Sequence, residues 1–332
     1  MGEDGGLPSP FFSRFAVRIR PIAALSAAAL TALLLAGCSS AAPDADPTPS
    51  ATESAAGDLC ASAAPSGSVS EGVVVTGDAG SEASVTFDAP LEITSAERTV
   101  VVEGDGDPIA SGDLVQYGAT IFDAATGELV ESGGYESAIL PVQVSVGSGS
   151  DQFFGCANEG ARIVMAVPGS DQAAASVWVL DVLGTSPAAA WGEPQGPVAG
   201  MPTVELDDTG APTITIPEGD APTDVQLATL KKGDGAVVNP GDTVLVHYTG
   251  VKWSDGTVFD SSWDRGTPAS FATTGVVEGF KQALEGQTVG SQVLVVIPPA
   301  FGYGAQEGHE LQNETLVFVV DILGTQSPAP AQ

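Results

Sequence analysis

Positive charge is scarce in this chain. Its 332 residues hold 10 Lys and Arg against 42 Asp and Glu, a formal net charge of −32. Three of the cations (Arg14, Arg18, Arg20) and two of the acids (Glu3, Asp4) precede an apolar run, Pro21 to Gly37; without that region the balance is 7 − 40 = −33. Such a chain repels phosphate backbones and anionic lipid, so nucleic acid is excluded as a partner. Histidine is scarcer still. His247 and His309 are the only two, which leaves little material for a metal cluster or a Ser-His-Asp triad. No phosphate-cradling or dinucleotide glycine pattern occurs. Pieces such as Gly104-Asp105-Gly106-Asp107 lack calcium-loop spacing and read as turns. Aromatics make up only 6% of the residues, so each carries weight. What is plentiful is Gly, Pro and β-branched side chains, with 43% hydrophobic residues. That composition points to β-rich domains with tight turns, and the length allows two of them.

Arg14 to Arg20 forms a basic region ahead of the apolar Ile22 to Leu35, the pattern of an export signal. Leu35-Ala36-Gly37-Cys38 resembles the lipobox of bacterial lipoproteins. The resemblance implies that residues 1–37 are removed, that Cys38 is lipidated, and that the chain is exported and held to the outer face of the membrane by that lipid alone. The alternative is an uncleaved anchor, because the apolar run is near the lower limit for spanning. Residues 38–59 are Ala, Ser, Thr, Pro and acid and are expected to form a disordered tether. With Cys38 modified, Cys60 and Cys156 remain in an oxidising compartment and are expected to pair.

The rest repeats itself. Gly104-Asp105-Gly106 matches Gly233-Asp234-Gly235, Gly112-Asp113 matches Gly241-Asp242 and Gly127 matches Gly256, all at one offset (233 − 104 = 129). Val164 to Pro168 matches Leu294 to Pro298, and Asp181 to Thr185 matches Asp321 to Thr325. The expected organisation is a first domain at 60–186, a linker at 187–201, a second domain at 202–326 and a tail at 327–332. The second copy is longer between its shared proline and its ending, by a loop holding Phe301-Gly302-Tyr303-Gly304.

In the second copy, Asp242 to Ser262 reads as a hairpin, with period-2 alternation through Val244, Val246 and Tyr248 and a turn at Ser254-Asp255-Gly256. Phe280, Ala283 and Leu284 have helical spacing over Glu278 to Glu285, stopped by Gly286. Antiparallel strands with one short helix make an α+β fold. His247, alternating away from Tyr248, reads as a surface or core histidine, and His309, after Tyr303, as a solvated loop residue, with contact to substrate as the alternative.

This copy resembles the FKBP-type peptidyl-prolyl isomerases. The resemblance rests on Val246-His247-Tyr248-Thr249-Gly250, Gly256-Thr257-Val258-Phe259-Asp260-Ser261-Ser262, Pro298-Pro299-Ala300-Phe301-Gly302-Tyr303-Gly304 and Thr315-Leu316-Val317-Phe318. It implies two FKBP-like domains, each a twisted antiparallel sheet wrapped on a short helix, the first one degenerate. The implied catalytic residues are Tyr248, Phe259, Asp260 and Tyr303. The implied substrate-binding residues are Arg265, Phe271, Val276, Val277, Phe280, Leu311 and Phe318, with Phe280 standing where many members have Trp. Ala269 replaces a frequent rim aromatic, and the Phe271–Val276 and Tyr303–Thr315 segments are short for the family.

The implied activity is peptidyl-prolyl cis-trans isomerisation of proline-containing chains outside the membrane, with no metal or cofactor. An X–Pro bond crosses a barrier of roughly 20 kcal/mol unaided. A dry aromatic pocket favours the twisted, less polar transition state. Tyr248 and Tyr303 can offer hydroxyl donors, and Arg265 can hold Asp260. A non-catalytic peptide-binding lipoprotein is the alternative. At the constant offset, Tyr248, Phe259 and Asp260 fall on Ala119, Val130 and Glu131, and the Tyr303 loop is missing. The first copy is therefore expected to be inactive. A two-residue slip that put Tyr117 in place of Ala119 stays open.

Overall fold

A computed structural model describes residues 58–328. The leader, the lipobox with Cys38, nearly all of the tether and residues 329–332 of the tail lie outside the described residues.

Two antiparallel sheets dominate. The first contains β1 (Glu97–Val102), β2 (Leu114–Asp123), β3 (Leu129–Gly133), β4 (Arg162–Val167) and β5 (Ser176–Ser186), in the order β1-β4-β5-β2-β3. Val142–Gln143 adds to β2, and the four-residue helix α1 spans Asp151–Phe154. The second contains β6 (Gln226–Lys232), β7 (Thr243–Lys252), β8 (Val258–Ser261), β9 (Ala269–Ala272), helix α2 (Glu278–Leu284), β10 (Gln292–Ile297) and β11 (Leu316–Gln326). Its order is β6-β10-β11-β7-β8, with β9 also on β7. The chain is thus sheet-rich, with fewer and shorter helices than an α+β expectation carries; among the described residues the longest has seven residues.

The 129-residue offset holds in the backbone register. Tyr248 faces Val320 on β11, and Ala119 faces Leu180 on β5. A bulge falls between Leu245 and Val246 in one sheet and between Gln116 and Tyr117 in the other. The slip that would put Tyr117 in Tyr248's place does not occur, because the bulge pins both strands alike.

Each sheet also carries a hairpin on its outer face. Val74–Thr76 pairs with Ser84–Thr86, and Thr203–Leu206 with Pro212–Thr215, at the same offset (203 − 74 = 129). Val73 and Ala83 bury against Phe122, Val164, Val177 and Val179 in the first. Met201, Val204 and Ile214 bury against Val251, Leu294, Val296, Val317 and Val319 in the second. The inner face of the second sheet is covered by α2. Phe280, Ala283 and Leu284 are buried in one core with Val293, Val295 and Ile297 of β10, and extended backbone at Glu285 ends the helix.

Residues 187–201, expected to be a linker, are in part built into the second sheet. Lys231 and Lys232 of β6 pair with Pro194 and Glu193, and Ala190 is buried. The Pro, Gly and Ala composition disguised this, since an open sheet edge satisfies the backbone of any extended segment laid along it.

The polar groups beneath the outer face differ between the sheets. Arg162 and Asp181 form a fully buried ion pair at 2.7 Å. The corresponding carboxylate, Asp321, has no arginine partner among the described residues. Its oxygens accept from Gln292 Nε2 and from the Ala190 N–H, both at 2.7 Å, while Lys231 Nζ donates to the Ala190 carbonyl at 2.8 Å. Burial raises the Asp321 carboxyl to about 6 against these hydrogen bonds. Its cross-strand neighbour His247 is lowered to about 4 by burial and, secondarily, by the Arg265 charge.

These two groups oppose each other with pH. His247 binds fewer protons folded than unfolded between about 4 and 6.5, so its stabilisation is lost as pH falls. Asp321 binds more protons folded between about 4 and 6, so it costs stability as pH rises. Each effect amounts to about 3 kcal/mol, so the wild type should show little net slope from them. In urea denaturation at pH 4.5 and 6.5, Asp321→Asn should gain stability with pH and His247→Gln should lose it. Parallel behaviour of both variants and wild type would rule this assignment out.

Candidate active site

β7, β8, β9, β11, α2 and the loop before β11 enclose a cleft of about 500 Å³. Tyr248, Phe259, Phe271, Phe280 and Phe318 form its floor and walls. Phe280 meets Phe318 edge-on at 5.1 Å and 79°, and Phe259 meets Phe318 at 5.3 Å and 85°. Tyr248 meets Phe280 at 6.1 Å and 81°. Such edge-to-face contacts lock the rings against each other and keep the cavity shape.

Room for these rings comes from Gly250. A Cβ there would lie 2.6 Å from Phe318 Cε1 and 2.7 Å from Phe259 Cζ. The strand approaches both rings so closely that only glycine fits.

One wall is polar and satisfied from within. Tyr248 donates its hydroxyl proton to Asp260 Oδ2 at 2.5 Å, Arg265 Nη1 donates to Asp260 Oδ1 at 2.5 Å, and Arg265 Nη2 donates to Tyr248 Oη at 2.9 Å. Burial alone would raise the Asp260 carboxyl, but the bonds from Tyr248 and Arg265 hold it below its ordinary value. Burial and the Asp260 bond push Tyr248 up to about 12, so it stays protonated. The Tyr248 proton is therefore committed to Asp260, so of the two tyrosines expected to be able to offer donors, Tyr303 is the one left without a protein partner for its hydroxyl among the described residues.

A family model for FKBP-type peptidyl-prolyl cis-trans isomerases matches residues 235–323. A probable FK506-binding protein of Corynebacterium glutamicum is 41% identical over 113 residues, covering 34% of this chain and 96% of that protein. The FK506-binding protein of Streptomyces anulatus is 39% identical over 117 residues, 34% of this chain and 94% of that one. Among solved structures, FkpA from Escherichia coli has 33% identity and a TM-score of 0.30, over 40% of this chain and 54% of that one. The chain belongs to the FKBP-type peptidyl-prolyl cis-trans isomerase family.

In this isomerase, nine of the expected residues line one cleft: Tyr248, Phe259, Asp260, Phe271, Val276, Val277, Phe280, Tyr303 and Phe318. Arg265 stands on the rim, 48% exposed, tied to Asp260. Leu311 does not line the cleft. It is buried in the core under the Tyr303 loop, because an apolar side chain in a short loop is drawn inward and anchors it. Thr274, Gly275, Gly302 and Gln306 also line the cavity and were missed, as was Gly250. Only the Gly250 contacts carry a signal, a glycine interrupting a strong strand pattern.

Ser262 and His247 are bonded, Oγ to Nδ1 at 2.8 Å, but both are buried. Ser262 Oγ also accepts the Tyr248 N–H at 2.8 Å, so the pair fastens β7 to the segment after β8.

Among the described residues the first sheet lacks the groups that build this cleft. Ile121 and Glu131 stand where Gly250 and Asp260 pair, and Trp178 faces Ile121 as Phe318 faces Gly250. Val130 is 63% exposed instead of walling a pocket, and Trp178 stacks on Phe153 at 5.7 Å. The chain passes from β4 to β5 through residues 168–175 alone, too few for a counterpart of the Tyr303 loop.

Proposed function

We propose that the chain isomerises X–Pro bonds in the cleft over Phe280, acting on proline-containing polypeptides outside the membrane. The carrying observation is the aromatic box with one satisfied polar wall and, among the described residues, one hydroxyl without a protein partner. The planar amide loses the hydration that favours its charge-separated resonance form, and the twisted state loses less. Asp260 and Arg265 act on Tyr248, holding the wall in place, and Tyr303 is the donor left for the substrate. No nucleophile is needed. Each ~1.4 kcal/mol of preference for the twisted state gives tenfold in rate.

Within this reading the regions 60–186 and 202–326 are two FKBP-like domains, and the first is a non-catalytic spacer or docking domain. The resemblance of the leader to a lipobox supports export and a lipid anchor on Cys38. Fatty-acid labelling that persisted in Cys38→Ser would overturn the anchor.

The activity is tested in the full chain with a proline peptide and no coupling protease. Phe259→Ala should lower kcat/KM by about tenfold or more, and Val130→Ala should leave it unchanged. Equal activity in wild type and Phe259→Ala would move the reaction elsewhere. Tight binding of the peptide without rate enhancement would favour a peptide-binding module.

A further inference from the structure

We propose that His309 is a positioning residue for the isomerase reaction, fixing the pose of Tyr303 by stacking on its ring. The inference rests on the aromatic cleft being the reaction site. The two rings lie 4.0 Å apart between centroids and only 6° from parallel. The phenylalanines of the floor meet edge-on and hold one another, whereas among the described residues Tyr303 has no aromatic partner except His309.

The imidazole is itself held. Its Nδ1 accepts the Leu311 N–H at 3.1 Å, which leaves the proton of the neutral ring on Nε2. Leu311 is buried in the core cluster beneath the loop, so the bond ties the imidazole to a fixed point. The His309 N–H donates to the Gln306 carbonyl at 3.1 Å, and the Gln312 N–H donates to the His309 carbonyl at 3.0 Å. His309 thus stands between an anchored leucine and the cleft-lining Tyr303, whose hydroxyl has no protein partner among the described residues. A donor that is held in advance costs no ordering when the substrate arrives. Tyr303 also packs against the core, but removing the imidazole takes away the one ring stacked on it, and the expected loss falls on catalysis through Tyr303.

That last point makes the test a double-mutant cycle in the full chain, with circular dichroism confirming the fold of every variant. His309→Ala should lower kcat/KM about tenfold, His309→Leu, which keeps bulk but no ring, should do the same, and His309→Phe should retain activity within about threefold. In a Tyr303→Ala background, His309→Ala should cost less than about twofold further. An equal loss with and without Tyr303 would show that His309 merely supports the loop and would overturn the proposal. So would full activity in His309→Ala alongside a lowered Phe259→Ala, which defeats this inference alone. If Phe259→Ala is also fully active, the cleft itself is not the reaction site, and both readings fail.

Discussion

Gly250→Ile should abolish isomerase activity, by roughly a hundredfold or more, in a chain that still folds. Gly250 lies on β7 opposite Phe318, in the register that puts Ile121 opposite Trp178 in the first sheet. The fold therefore already accommodates isoleucine at this point. What it cannot do is keep an open cleft with one there. The added Cβ meets Phe318 at 2.6 Å and Phe259 at 2.7 Å, and the branched carbons beyond it need the volume those rings occupy. Overpacking of this kind typically costs 1–3 kcal/mol of stability, a loss a domain of this size can survive. The rings must move into the cavity, and the surface that keeps water off the prolyl amide goes with them. Gly250→Ala should show a smaller loss in the same direction, about tenfold. Ile121→Gly should change stability and leave the rate alone. A proline-peptide assay with near-ultraviolet circular dichroism decides, and a Gly250→Ile protein active within about threefold of wild type would mean that the rings do not shape the site.

Side chains that announce themselves by type were legible in the sequence. Tyr248, Phe259, Phe280 and Phe318 are large rings in a chain poor in them, and each falls in a stretch with a strand or helix period. Helix α2 was readable because three apolar residues share one face and a glycine follows. Gly250 was inside the motif, yet its role depends on which rings it meets, and that is set by register across two strand pairs. The commitment of the Tyr248 proton to Asp260 was equally hidden. Sequence places a tyrosine near a carboxylate but does not say whether the two are bonded or which partner the tyrosine's proton takes. Leu311 was misplaced because a loop residue next to a site and a loop residue under it look alike. The outer hairpins escaped because strands of three or four residues are too short for a period. Their equivalence appears only when Val74 and Thr203 are found in matching registers. The Glu193–Pro194 strand was obscured by a composition that reads as a linker.

Replacing both Cys60 and Cys156 by serine should lower the stability of the region around the first sheet by about 4–5 kcal/mol in the chain-entropy model, without touching the rate of isomerisation. The two sulfurs are bonded, and the bridge closes a separation of 96 residues. A loop that long gives a large loss of unfolded-state entropy. The bridge also joins two segments of short helical turns. The segment before the first hairpin has two four-residue helical turns, Leu59–Ser62 and Ser68–Glu71, in which only Leu59 and Ser70 are buried, and it docks against α1 through the Ala64 N–H and the Gln152 carbonyl at 3.1 Å. Helix α1 has four residues, against seven in α2. Leu59 packs with Phe154 in the inner core, so loosening this segment exposes the face that α1 covers. The isomerase cleft is built wholly from Tyr248 and residues after it and shares none of these contacts. Urea denaturation followed by tryptophan fluorescence, with and without reductant, should show a destabilised transition in the reduced or doubly substituted chain. Prolyl isomerase activity in buffer should stay within about twofold. Stability that is indifferent to reductant would show that the segment before the first hairpin is held by packing alone.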